Sequence, residues 1–106
     1  MAKYMLIGSY TAEGAKGLLK EGGSGRREAA RRAIESAGGS LDSFYLGFGT
    51  DDYYVTADFP DHAAAAAAAL TVGASGTSRA RTIVLLTPED LDAASKVSVE
   101  FRPPGA

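Results

Sequence analysis

Two runs of alternating apolar and polar residues, Leu41 to Phe48 and Asp52 to Phe59, are separated only by the turn residues Gly49-Thr50-Asp51. This pair constrains the chain more tightly than any other feature. Alternation with a period of two places Phe44, Leu46 and Phe48 on one face of the first run, with Ser43, Tyr45 and Gly47 on the other. Strands joined so closely pair antiparallel. The second run offers Tyr53, Val55, Ala57 and Phe59 on one face and Asp52, Tyr54, Thr56 and Asp58 on the other, so a tyrosine turns outward either way.

The flanking segments complete the pattern. Lys3 to Tyr10 alternates and predicts a strand, with Tyr4, Leu6, Gly8 and Tyr10 facing one way and Met5, Ile7 and Ser9 the other. Thr11 is placed to cap a helix, and Glu13 sits near its free N–H groups. Gly22-Gly23-Ser24-Gly25 should interrupt that helix, with Ser24 capping a restart. Ala29, Ala30, Ala33, Ile34 and Ala37 then form one face before Gly38-Gly39 stops the run. Pro60-Asp61 opens a second helix from His62 to about Val72, built almost wholly of alanine, whose small side chains let it lie close to a sheet.

Arg79 to Leu86 predicts the fourth strand. Its continuous apolar stretch from Ile83 to Leu86 is the pattern of a strand buried on both faces. Thr87-Pro88-Glu89-Asp90 is a helix start with a capping hydroxyl, an early proline and acids at the positive helix end. That helix should reach about Lys96, and the alternation of Val97, Val99 and Phe101 suggests a short extra strand. The order β-α-β-β-α-β, with an added helix and tail, is the ferredoxin-like α+β arrangement: an antiparallel sheet with its helices on one face.

Composition narrows the function. The 106 residues fit one domain spanning the chain, with about a third of the unfolded surface left exposed. Cysteine is absent, which removes disulfides, thiolate chemistry and cysteine-held metals and suits a cytoplasmic location. Eleven basic and thirteen acidic residues give a net charge of −2. Arg26, Arg27, Arg31 and Arg32 are interleaved with Glu28 and Glu35 as on a solvated helix face, so no nucleic-acid partner is expected. The apolar runs Tyr4–Ile7 and Ala63–Leu70 are too short for a secretory signal or a membrane span, so no membrane association is expected either.

No strong catalytic motif is present. Gly17 to Ser24 resembles a phosphate loop only superficially, because no lysine follows the second glycine. Asp51, Asp52, Asp58 and Asp61 lack the close spacing of a calcium loop, and a single histidine, His62, cannot form a metal-binding pair, so no metal and no cofactor are expected. No G-x-S-x-G elbow occurs. The best polar candidates for a ligand site are Tyr45, Asp52, Tyr54, His62 and Arg81, with Asp52 the preferred acid–base carboxylate if an interface desolvates it.

Ser9-Tyr10-Thr11-Ala12-Glu13-Gly14, Leu18 to Ser24, Arg26-Arg27-Glu28-Ala29, Leu85-Leu86-Thr87-Pro88-Glu89 and the closing Phe101 to Gly105 together resemble the GYD-domain family. The Gly-Tyr-Asp signature of that family falls here on Gly49, Asp51 and Asp52, with Asp51 where tyrosine is usual. The resemblance implies a dimeric α+β barrel architecture. The tyrosine-bearing outer face of the sheet separately suggests that two sheets pack face to face across a dimer, with a cavity between sheet and helices.

Three functional readings follow. The first is a homo-oligomeric small-molecule-binding or accessory domain. The second is a cofactor-independent enzyme of the dimeric-barrel kind, isomerase-like or monooxygenase-like, using Asp52, Tyr54, His62 and Arg81. The third is a structural assembly unit joined through its tail.

Overall fold

The hairpin forms as its alternation requires. The structure, a computed structural model, describes residues 1–106. Its elements run β1 (Ala2–Tyr10), α1 (Ala12–Glu21), α2 (Gly23–Ser36), β2 (Ser40–Leu46), β3 (Tyr53–Phe59), α3 (His62–Ala74), β4 (Ser78–Leu85) and α4 (Pro88–Ser95). The four strands make one antiparallel sheet in the order β2-β3-β1-β4. This is the ferredoxin-like α+β arrangement.

Register assigns the faces. Tyr4 and Leu6 of β1 stand beside Ala57 and Val55 of β3, and all four are buried toward the helices with Tyr53, Phe59, Ile34 and Ala65. The outward set of β3 is therefore Tyr54, Thr56 and Asp58, with Asp52 immediately before the strand. Across the sheet, Tyr45, Tyr54, Ile7 and Arg81 form one continuous outer row. A bulge between Leu41 and Ser43 inserts Asp42 into β2, and its carboxylate reaches Lys3 Nζ at 3.1 Å and accepts from the Thr56 hydroxyl at 2.8 Å.

The helix boundaries follow local chemistry. Thr11 Oγ1 accepts from Gly14 N at 3.2 Å, Asp61 Oδ1 from Ala64 N at 2.8 Å, and Thr87 with Asp90 closes a capping box. Gly14 lies so close to the Thr77 carbonyl that no Cβ would fit. The break between α1 and α2 occurs at Gly22, whose φ of +84° few other residues adopt. Ser24 accordingly lies inside the first turn of α2 and caps nothing.

Three expectations are corrected. β2 stops at Leu46, and Phe48 stands in the Gly47–Asp52 connection with its side chain fully exposed, at 101%, because Gly47 N and Asp52 O close the hairpin ahead of it. β4 is an edge strand rather than one buried on both faces: only β1 pairs with it, and Val84 is 49% exposed. Val97 to Phe101 forms no strand, since no sheet edge lies alongside to supply hydrogen bonds. No helix is long and apolar enough to cross a membrane.

Candidate functional site

The two principal helices sit over opposite edges of the sheet. α2 lies over β2 and α3 over β4. Both present small side chains inward, so the space above the centre of the sheet is not filled. The result is a partly open cavity of about 560 Å³ between α2, α3 and the sheet, within the range of small-molecule sites. The alanine stripe of α2 contributes Ala30, Ala33 and Ala37, and α3 contributes Ala67, Ala68 and Val72. Leu6, Phe44 and Val55 of the sheet form an apolar floor.

One end of the cavity is polar. The Tyr53 hydroxyl and Ser78 Oγ are hydrogen-bonded at 3.0 Å, both buried. The Tyr10 ring lies against Tyr53, with centroids 5.2 Å apart and planes tilted by 50°. Burial pushes the Tyr10 phenol above its usual range, with the Arg26 guanidinium opposing that shift, so the hydroxyl stays a neutral donor in ordinary solution. Arg26, from the second turn's edge of α2, is the only charged side chain on the cavity wall, and Thr77 and Ser75 complete the polar end. A second hollow of about 520 Å³ shares Tyr10, Arg26 and Thr77 with the first and adds Glu13, Lys20 and Glu21. Arg26 is held there by Glu21 at 3.5 Å.

This arrangement suits binding more than proton transfer. Neither a carboxylate nor an imidazole lines the main cavity. Apolar walls with the one guanidinium and most of the hydroxyls toward one end, and Ser36 alone at the other end of α2, would orient an amphipathic molecule with its polar or anionic group toward Arg26.

The residues singled out from the sequence lie elsewhere. Tyr45, Tyr54 and Arg81 share the outer row of the sheet, and Arg81 reaches Asp51 at 3.4 Å. Asp52 Oδ2 accepts from Tyr10 N at 2.9 Å while Asp52 N donates to Gly8 O at 2.8 Å, so this carboxylate pins the end of β1 to the hairpin. His62 is on the helix side, its Nδ1 2.6 Å from the Tyr4 hydroxyl. Asp52, Tyr54, His62 and Arg81 thus do not converge on one pocket. No group of three or more His, Cys, Asp or Glu is placed to hold a metal ion.

Tyr53 and Ser78 are not legible as site residues from the sequence, and Arg26 stands out only as a minor phosphate-binding alternative at the start of its helix. The available signal was the pairing of two small-residue helix faces above an aromatic-bearing sheet, which leaves volume unfilled.

The signature positions have visible structural roles. Gly49 lies in the hairpin connection and Asp52 makes the β1 clamp, while Asp51 meets Arg81. No curated protein and no solved structure shows significant similarity to the chain. The family model of the GYD domain matches residues 4–95 of the 106, ending with α4 and short of the closing Phe101–Gly105 segment. With most of its length matched, from β1 through α4, the chain belongs to the GYD domain family.

Proposed function

We propose that this protein is a homo-oligomeric small-molecule-binding domain, one domain over residues 1–106, whose ligand is an amphipathic organic anion held between the sheet and helices α2 and α3. The observation that carries this reading is the cavity itself: about 560 Å³ of largely apolar space with Arg26, Tyr10, Tyr53 and Ser78 gathered at one end. Burying an apolar body there contributes about 25 cal/mol per Å². A charge-assisted hydrogen bond to Arg26 fixes orientation.

Self-association uses the opposite face of the sheet. Tyr45, Tyr54, Met5, Ile7 and Ile83 form an apolar and aromatic patch on this face, flanked by Lys3 and Asp58 at one end and interrupted at the β4 side by Arg81, which pairs with Asp51. Rings with a polar tip are enriched at interfaces. Only 12 of 106 residues are buried in the isolated chain, so a second sheet packed on this face would supply apolar burial that the single core lacks. The same reading places the protein in the cytoplasm, consistent with its lack of cysteine.

The test uses 1-anilinonaphthalene-8-sulfonate, whose fused ring and sulfonate match the two ends of the cavity. Saturable binding at one site per chain, weakened about tenfold by Arg26→Ala, supports the proposal; a tenfold change corresponds to about 1.4 kcal/mol. Absence of saturable binding, or binding indifferent to both Arg26→Ala and the cavity-filling Ala68→Phe, contradicts it.

A further inference from the structure

The last 21 residues, 86–106, are exposed throughout. Their hydrogen bonds are local: the Thr87–Asp90 capping box, the turns of α4 and one turn between Pro103 and Ala106. This arm gives the molecule extents of 55 × 33 × 22 Å and a radius of gyration of 16.8 Å, where a compact chain of this length has about 13 Å. It is not a polar tail. Leu86, Leu91, Val97, Val99 and Phe101 all project into water, with Val99 at 76% and Phe101 at 75% exposure. Helix α4 has eight residues, fewer than the roughly 12 to 15 that hold a helix in water without tertiary packing. An ordered, apolar arm of this kind needs a surface.

The same molecule carries a surface of matching chemistry. β4 has a free edge, because β1 is its only partner. Val84 is exposed on the helix side of that strand, whereas Arg79 and Arg81 stand on the outer side. In the arm, Val97, Val99 and Phe101 alternate with Ser98 and Glu100. Laid along β4 with its apolar residues beside Val84, the segment turns Glu100 toward the arginine side. Pro103-Pro104 then ends the pairing, since neither residue can donate a backbone hydrogen bond.

We infer that residues 97–101 of one chain add as a fifth strand to the β4 edge of a second copy, so that two copies exchange their C-terminal arms. The chain's own β4 is a poor recipient. Within the single chain residues 97–101 are not paired with it, and its edge stays free. The exchange is reciprocal, so each copy both donates residues 97–101 and receives the partner's strand on its β4 edge. This inference stands apart from the ligand cavity and from packing of the outer sheet faces.

Light scattering across about 1 to 100 µM tests it on the full chain, the double variant Val99→Asp/Phe101→Asp, the edge variant Val84→Asp and the sheet-face variant Tyr54→Asp, each checked for native circular dichroism. The expected result is a dimer for the full chain, with dissociation constants at least about tenfold higher for the arm and edge variants, as for loss of anchoring apolar contacts. A monomeric full chain overturns the inference, as does an arm variant that dimerises normally. Weakening by the arm variant alone, with Val84→Asp unaffected, overturns β4 as the recipient. A dimer broken only by Tyr54→Asp overturns arm exchange while leaving the sheet-face contact standing.

Discussion

The Tyr53 hydroxyl on β3 reaches across β1 to Ser78 on β4, meeting its Oγ at 3.0 Å directly over Gly8. This bridge is possible because Gly8 has no side chain. It ties three neighbouring strands together and forms the buried polar end of the cavity. A glycine within a strand often marks such a close approach.

Gly8→Ala should therefore lower stability by about 1–3 kcal/mol, the usual cost of overpacking. Its Cβ would fall on both the Tyr53 hydroxyl and the Arg79 carbonyl. Because one of these is backbone, adding Tyr53→Phe should recover only part of the loss. Chemical denaturation of the two variants measures this directly, and full recovery would show that the side chain alone is the obstacle.

Asp52→Ala removes the carboxylate that accepts from Tyr10 N. Loss of a charge-assisted bond of this kind should cost about 1.5–3 kcal/mol. Asp52→Asn, which keeps an acceptor oxygen, should cost less. Hydrogen exchange at Tyr10 N–H should accelerate in the alanine variant before exchange in the centre of β1 does.

The outer-face cluster of Lys3, Asp42 and Asp58 sets the sign of the pH dependence. The Thr56 hydroxyl and then Lys3 hold the Asp42 carboxyl below its ordinary 3.8. The Asp42 hydrogen bond is the largest influence raising Lys3 above its ordinary 10.5, with burial opposing and Asp58 adding. A depressed carboxylate stabilises the fold above its unfolded pKa and loses that contribution as pH falls through the folded one. A raised lysine contributes fully below its unfolded pKa and loses this as pH rises through the folded one. The cluster's contribution should thus be flat through neutrality, falling below about pH 4 and above about pH 10.5. Tyr10, raised by burial, adds to the alkaline loss. Urea midpoints of Asp42→Asn should show a shallower acid limb than the native chain.

Phe48 makes no comparable contribution. Its side chain is fully exposed in the hairpin connection, and Phe48→Ser should change stability by no more than about 0.5 kcal/mol, as is usual for isolated surface positions. Thermal unfolding checks this, and a larger loss would mean that the ring is covered in the assembled protein.

Periodicity made most of the scaffold legible. Strands β1 and β3, the pairing of β2 with β3, and the caps at Thr11, Asp61 and Thr87 all rest on local patterns that the tertiary structure leaves intact. Ile83 to Leu86 was harder to read, because a continuous apolar run looks the same whether a strand is already enclosed or still lacks a neighbour. Val97 to Phe101 has the alternation of a strand, but hydrogen-bonded pairing requires an edge that the single chain does not place beside it. The cavity was obscure for another reason. Its walls are alanines, which read as ordinary helix formers, and its polar end joins Tyr10, Arg26, Tyr53 and Ser78 from four different elements.

Calorimetric titration with 1-anilinonaphthalene-8-sulfonate tests the central claim most directly, comparing the native chain with Arg26→Ala and Ala68→Phe. The account predicts one site per chain, affinity reduced about tenfold by the loss of Arg26, and no measurable binding when Ala68→Phe fills the space between the helices. Failure of the native chain to bind, or equal binding by all three proteins, would contradict the cavity as the functional site.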